Sequence, residues 1–171
     1  NKVDTLVPEK YEKWCRQWFK EARRIGKKLL ITPGVRNIGL YPNPYWCVVI
    51  SKPSSPSFNR LGGFNCWEPL FIYDKPLSKK RLPRDVVVYE SKNFIKDGRG
   101  DHPCPDSFEM IDWILDTWLE KGGLVLDPFL GSGTTAICAK KNHYQFIGIE
   151  ISPKYCEIAR KRIAAVTLSM L

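Results

Sequence analysis

Apolar positions near the start of the chain recur at helical spacing. Tyr11, Trp14, Trp18, Ala22 and Ile25 fall on one stripe and Gly26 ends it, so the pattern predicts an amphipathic helix over residues 9–25. Leu29-Leu30-Ile31 then reads as a short buried strand stopped by Pro33-Gly34. Three more short runs, Tyr45 to Ile50, Leu70 to Tyr73 and Val86 to Tyr89, have the β-branched and aromatic content of strands. Between them residues 51–66 are rich in Ser, Pro and Gly and read as one long loop, a kind of segment that is usually functional or mobile.

The second half is more regular. Asp106 with Glu109 three residues later has the form of a capping box, and Phe108, Ile111, Ile114, Leu115, Trp118 and Leu119 make one apolar face up to Gly122-Gly123. Leu124 to Leu126 is a strand, residues 127–133 a turn, Thr134 to Lys141 a helix and Phe146 to Glu150 the next strand. Ser152 is placed to cap a last helix from Pro153 to about Val166. This alternation predicts a right-handed βαβ crossover with two neighbouring parallel strands, hence an α/β fold.

Length and charge refine that picture. At 171 residues with 43% hydrophobic content the chain fits one domain, with no apolar run near the roughly 20 residues that cross a bilayer. No hydrophobic signal region opens the sequence, so an intracellular, cytoplasmic protein is expected. The six cysteines include no C-x-x-C pair, which argues against a zinc site and favours free thiols. Net charge is +9, but residues 1–101 carry 20 Lys+Arg against 10 Asp+Glu, and residues 102–171 carry 7 against 8. A basic half beside a neutral half suggests that the first faces a polyanion such as nucleic acid. The clusters are Arg23-Arg24 with Lys27-Lys28, and Lys79-Lys80-Arg81 with Arg84; the alternative for each residue is simple surface solvation.

The candidate chemistry lies in the second half. Gly131-x-Gly133-x-x-Ala136 stands between a strand and a helix, and Glu150 ends the next strand. Glycines let backbone approach a ligand, the helix start at Thr134 offers unpaired N–H groups, and an acid at the neighbouring strand tip can accept from both hydroxyls of a ribose. A tight turn with a helix-start charge is the structural alternative. Gly133 is followed by Thr134-Thr135 with no lysine, which argues against a P-loop and triphosphate hydrolysis. Asp127-Pro128-Phe129-Leu130 separates strand from glycines, unlike a dinucleotide fingerprint, and Asp127 would oppose a pyrophosphate. An early acid that can pair with an ammonium, an open glycine turn, a late acid for ribose and a bordering Phe129 suit S-adenosylmethionine.

These residues also carry a family resemblance. Asp127-Pro128-Phe129-Leu130-Gly131-Ser132-Gly133-Thr134-Thr135, with Phe146-Ile147-Gly148-Ile149-Glu150-Ile151-Ser152-Pro153-Lys154-Tyr155, resembles the cofactor segment of the DNA amino-methyltransferases that act on N6 of adenine or N4 of cytosine. The likeness implies cofactor contacts from Asp127, Phe129, Gly131, Ser132, Gly133, Thr134, Glu150 and Ile151. His102-Pro103 resembles the motif that helps enclose the methionine end of the cofactor in that family, although Cys104 to Ser107 depart from its wording. Upstream, residues 9–32 are similar to the segment after the family's catalytic strand, and residues 65–75 to its final antiparallel strand pair. The order, catalytic half before cofactor half, is that of the permuted subgroup. The implied fold is a circularly permuted, Rossmann-like S-adenosylmethionine-dependent methyltransferase, with a mixed and mostly parallel sheet, present here incompletely.

The family's catalytic tetrapeptide, Asp/Asn/Ser-Pro-Pro-Tyr/Phe, is not in this sequence. Asn43-Pro44-Tyr45-Trp46 and Ser55-Pro56-Ser57-Phe58 each lack the second proline and follow the first matched strand, whereas the motif should precede the first helix. The expectation is that it lies before Asn1. The resemblance implies methyl transfer to an exocyclic amino group of DNA, with no metal. Arg60, Lys79, Lys80, Arg81 and Arg84 are the expected phosphate contacts, and a cognate restriction nuclease is an expected partner. The alternatives are a methyltransferase of RNA or protein, and a remnant that binds cofactor or DNA without transfer.

Overall fold

The computed structural model describes residues 8–53, 62–76, 85–88 and 108–167. The chain divides into two compact units, residues 1–75 with 81–88, and residues 76–80 with 89–171. The line drawn above between a basic and a neutral half, at residue 101, falls outside the described residues.

In the first unit α1 (Pro8–Ile25) precedes β1 (Leu30–Ile31), β2 (Trp46–Ser51), β3 (Trp67–Ile72) and β4 (Val86–Val88). The sheet order is β1-β3-β2-β4, with β3 antiparallel to both β1 and β2, and β4 parallel to β2. Its core is Val48 and Ile50 from β2 with Leu70, Phe71 and Ile72 from β3, all buried. β3 starts three residues earlier than its apolar run suggests because Pro69 is admissible there. β1 reaches only Phe71 and Ile72, so no neighbour on that side needs the N–H that proline lacks.

Helix α1 forms where expected, with Tyr11, Trp14, Trp18 and Ala22 of the expected stripe half-buried beside Phe19. Cys15 is its buried residue and Ile25 is 53% exposed. Trp18 and Phe19 meet Tyr41, with ring centroids 5.6 and 6.1 Å apart, and Phe19 meets Tyr73 at 4.9 Å, so the helix is seated on aromatics. Tyr41 arrives there through a 3₁₀ helix, Val35–Leu40, which hydrophobic spacing does not reveal. Gly34 starts it at φ +74°, and the Asn37 side-chain amide donates to the Pro33 carbonyl at 2.9 Å. Burial pushes the Tyr73 hydroxyl pKa up to about 12, with Arg23 opposing, and that hydroxyl donates to the Pro42 carbonyl at 2.9 Å.

The second unit contains α2 (Phe108–Trp118), β5 (Leu124–Asp127), α3 (Thr134–Lys141), β6 (Gln145–Gly148) and α4 (Pro153–Ala164). β5 and β6 pair in parallel, Leu124 opposite Gln145 through Asp127 opposite Gly148, as the alternation of strand and helix predicts. α3 touches α2, α4 and both strands, and Ala136, Ile137, Cys138 and Ala139 are buried along it. Met110 and Thr117 join the buried side of α2, so its apolar face is wider than the six positions named from spacing. Asp106, the expected capping residue, lies outside the described residues.

Cys15, Cys47, Cys66, Cys138 and Cys156 are free thiols, and Cys104 lies outside the described residues. Burial, with Asp112 nearby, pushes the Cys138 thiol up, which keeps it protonated and unreactive. Among the described residues no helix is long and apolar enough to cross a membrane, and no His/Cys/Asp/Glu group is arranged to hold a metal.

Ile72→Ala removes a side chain that is 1% exposed at the end of the inner strand β3, and should cost about 2–5 kcal/mol in urea unfolding. Trp46→Ala, at 54% exposure on the same sheet, should cost well under half of that.

Candidate functional site

The turn after β5 is built from its own backbone. The Asp127 carboxylate Oδ1 accepts from the Phe129 N–H at 2.9 Å, an Asx turn that reverses the chain as it leaves the strand. The Leu130 N–H donates to the Ile149 carbonyl at 2.9 Å and the Ile149 N–H to the Asp127 carbonyl at 2.9 Å, so pairing of the two strand ends continues past the ladder. Leu130 lies against Gly148, where a Cβ would sit 2.5 Å from Leu130 Cδ2. Gly131 has φ +54°, and Gly133, the cap of α3, has φ +90°. Both values are costly for a side chain-bearing residue.

The glycines differ in purpose from the sequence reading in one respect. A Cβ on Gly133 would lie 3.1 Å from Ala159 Cβ and 3.2 Å from its Cα, so Gly133 admits the close approach of α4 as well as a positive φ. Ser132 and Thr134 are 4% and 5% exposed, and the Ser132 hydroxyl and carbonyl face Arg162 of α4. The Ser132 hydroxyl is thus already held from inside the unit.

Glu150 joins the two connections. Its Oε2 accepts from the Gly131 N–H at 2.9 Å and its Oε1 from the Ser152 N–H at 2.7 Å. One carboxylate thus ties the glycine turn to the start of α4. Ser152 stands at the N-cap of that helix but makes no side-chain capping bond, which corrects the role given to it above; Glu150 serves the backbone there instead. The Cys156 thiol lies 3.4 Å from the Glu150 carbonyl, which it reaches as a weak donor. Each carboxylate oxygen keeps a second lone pair beyond the N–H it already accepts, so Glu150 can still receive two hydroxyl donors.

Asp127, Phe129, Gly131 and Glu150 therefore converge on the tips of β5 and β6. Phe129 is 51% and Ile151 76% exposed, leaving two apolar surfaces open beside the acid. This set suits a polar diol with an apolar ring system.

His102, Pro103, Arg60, Lys79, Lys80, Arg81 and Arg84 lie outside the described residues. The other basic cluster is largely committed within its own unit. Arg23 bonds Asp74 at 2.5 Å, Arg24 bonds Glu21 at 2.7 Å and the Lys28 ammonium donates to the Lys75 carbonyl at 2.5 Å. Asn43-Pro44-Tyr45 leads into the N-terminal end of β2, the opposite end of a strand from the one a catalytic tip requires, and Ser55 to Phe58 lie outside the described residues. Sequence reasoning missed Arg162, since the run Arg160-Lys161-Arg162 offers no signal for which cation turns inward.

Residues 64–161 match the N6_N4_Mtase family model, described as DNA methylase, more than half of the chain and the whole span from β3 into α4. The type II methyltransferase M2.DpnII of Streptococcus pneumoniae is 34% identical over 97 residues, 56% of this chain and 36% of that protein. The type II methyltransferase M.HinfI of Haemophilus influenzae is 27% identical across 91% of this chain and 52% of its own length. The chain thus spans about half or less of these curated relatives. Among solved structures, the M1.HpyAVI–SAM complex superposes with a TM-score of 0.69 at 22% identity, covering 92% of this chain and 85% of that one. The PvuII cytosine-N4-specific DNA methyltransferase gives 0.56 at 16% identity, covering 90% and 57%. The fold is the Rossmann-like fold of these methyltransferases.

Replacing Glu150 by Gln leaves one of the two N–H donors facing an amide NH₂ in place of an acceptor. Urea unfolding of the protein without cofactor should show a loss of about 1–3 kcal/mol. An unchanged midpoint would mean that the carboxylate does not hold the turn.

Proposed function

Because the chain belongs to the N6_N4_Mtase family of DNA methylases, we propose that it is the cofactor-bearing part of an S-adenosylmethionine-dependent enzyme that methylates an exocyclic amino group of DNA. The observation that supports this most is Glu150, anchored by Gly131 and Ser152 yet retaining a free lone pair on each oxygen at the strand tip. The donor set fits the cofactor. Glu150 would accept from the ribose hydroxyls, Asp127 would face the ammonium, and Phe129 and Ile151 would border the adenine. Gly131, Ser132, Gly133 and Thr134 shape the turn that lets the backbone come close, and His102-Pro103 would enclose the methionine end. When bound, the cofactor would supply its sulfonium methyl to an exocyclic amino nitrogen of adenine or cytosine, the N–C bond forming as the C–S bond breaks, the thioether leaving and the nitrogen's proton passing to solvent. The chain's own contribution is to fix that methyl in place, the positioning on which such displacements rely.

Extruding a base from the duplex would bring its amino group within reach. Arg60, Lys79, Lys80, Arg81 and Arg84 would hold the phosphates, setting affinity and not sequence choice. The role fits a restriction-modification system with a cognate nuclease inside the cell. A second reading is binding of cofactor or DNA without transfer.

Titration calorimetry with S-adenosylmethionine should show binding by the wild type and at least about tenfold weaker binding by Glu150→Ala, the scale of lost charge-assisted hydrogen bonds. Transfer of labelled methyl to DNA, and not to RNA or protein, supports the enzyme, whereas binding with no acceptor labelled supports the second reading. For the DNA contacts, Lys79→Gln with Lys80→Gln should flatten the slope of log affinity against log salt by about 1.8, two phosphates at about 0.9 each. An unchanged slope would remove both lysines from the interface.

A further inference from the structure

Arg162 lies in the last turn of α4 and turns inward, where its Nη1 donates to both the carbonyl and the hydroxyl of Ser132, at 2.6 and 2.8 Å. Its guanidinium carbon also stands 5.8 Å from the centre of the Phe108 ring, at the first residue of α2. One side chain therefore spans three places: the end of α4, the middle of the glycine turn and the start of α2. Ser132 is 4% exposed, so these bonds are made away from competing water and a buried carbonyl is satisfied by a charged donor.

The position of that carbonyl matters. Ser132 stands between Gly131 and Gly133, both of which have positive φ. That carbonyl belongs to the Ser132–Gly133 peptide, and with the hydroxyl held as well Arg162 fixes the residue between the two glycines. On one side of it the Gly131 N–H is bonded to Glu150, and on the other Gly133 packs against Ala159, one helical turn before Arg162's neighbour Ile163.

We propose that Arg162 is a positioning residue of the cofactor site: it locks the Ser132 peptide from behind, so that the turn and Glu150 are already arranged before a ligand arrives. This rests on the cofactor reading given above. Nothing in the role requires Arg162 to touch ligand or reacting atoms. A lysine would keep the charge, and its one nitrogen could bond both Ser132 oxygens, but it would then have no second part of a guanidinium to lie against the Phe108 ring.

The test compares wild type, Arg162→Lys and Arg162→Ala in the full protein by calorimetry with S-adenosylmethionine and by thermal unfolding. Arg162→Lys should keep an unfolding midpoint close to the wild type yet bind about tenfold more weakly. Arg162→Ala should bind more weakly still and regain affinity when methylguanidinium is added, a rescue that a generally loosened fold would not show. Wild-type affinity in Arg162→Lys, absence of rescue in Arg162→Ala, or affinity and midpoint falling in parallel would each overturn the proposal. If the wild type fails to bind S-adenosylmethionine, the cofactor reading itself falls, and the role of Arg162 with it.

Discussion

The Glu150 carboxylate is the interaction on which the second unit's functional geometry depends. A parallel pair of strands leaves two connections side by side at its C-terminal tips, each with backbone donors that neither ladder can satisfy. Here a single acid between them accepts one N–H from each, Gly131 on one side and Ser152 on the other. The arrangement has a chemical consequence beyond stability. A carboxylate oriented by two fixed donors presents its remaining lone pairs in set directions, so a diol that reaches them encounters acceptors already in place.

The glycine turn is shaped from two sides. On the strand side, Asp127 closes an Asx turn on Phe129, and Leu130 fills the space that Gly148 leaves open. On the helix side, Ala159 needs Gly133 to have no Cβ, and Arg162 holds Ser132. A small residue on α4, a glycine on the turn and the Arg162 guanidinium form one packed interface, and in the proposed reading the outer surface of the turn would face the ligand. Preorganisation of this kind puts the cost of ordering the loop into folding instead of binding.

Much of this was legible in the residues. The helix from Thr134 to Lys141 has the predicted bounds, and the parallel pair of β5 and β6 follows from strand, helix and strand in alternation. The acid after the second strand and the glycines after the first were recognisable because their types are restricted by chemistry and backbone conformation. The 3₁₀ helix at Val35–Leu40 was not, since its cause is a side-chain amide and one left-handed glycine, with no apolar period. The start of β3 was obscured by Pro69, whose tolerance depends on how far a neighbouring strand extends. The inward turn of Arg162 was hidden for a similar reason. Three consecutive cations look alike in sequence, and only the packing of α4 on the glycine turn decides which one is buried.

The most direct measurement of the central claim is a crystal structure of the full protein with S-adenosylhomocysteine, the cofactor's demethylated product. Glu150 should keep its bonds to the Gly131 and Ser152 amides while accepting from the ribose hydroxyls, with the adenine beside Ile151. A nucleoside seated elsewhere, or a Glu150 side chain swung away from both amides to reach it, would contradict the claim that the acid is fixed before the ligand binds.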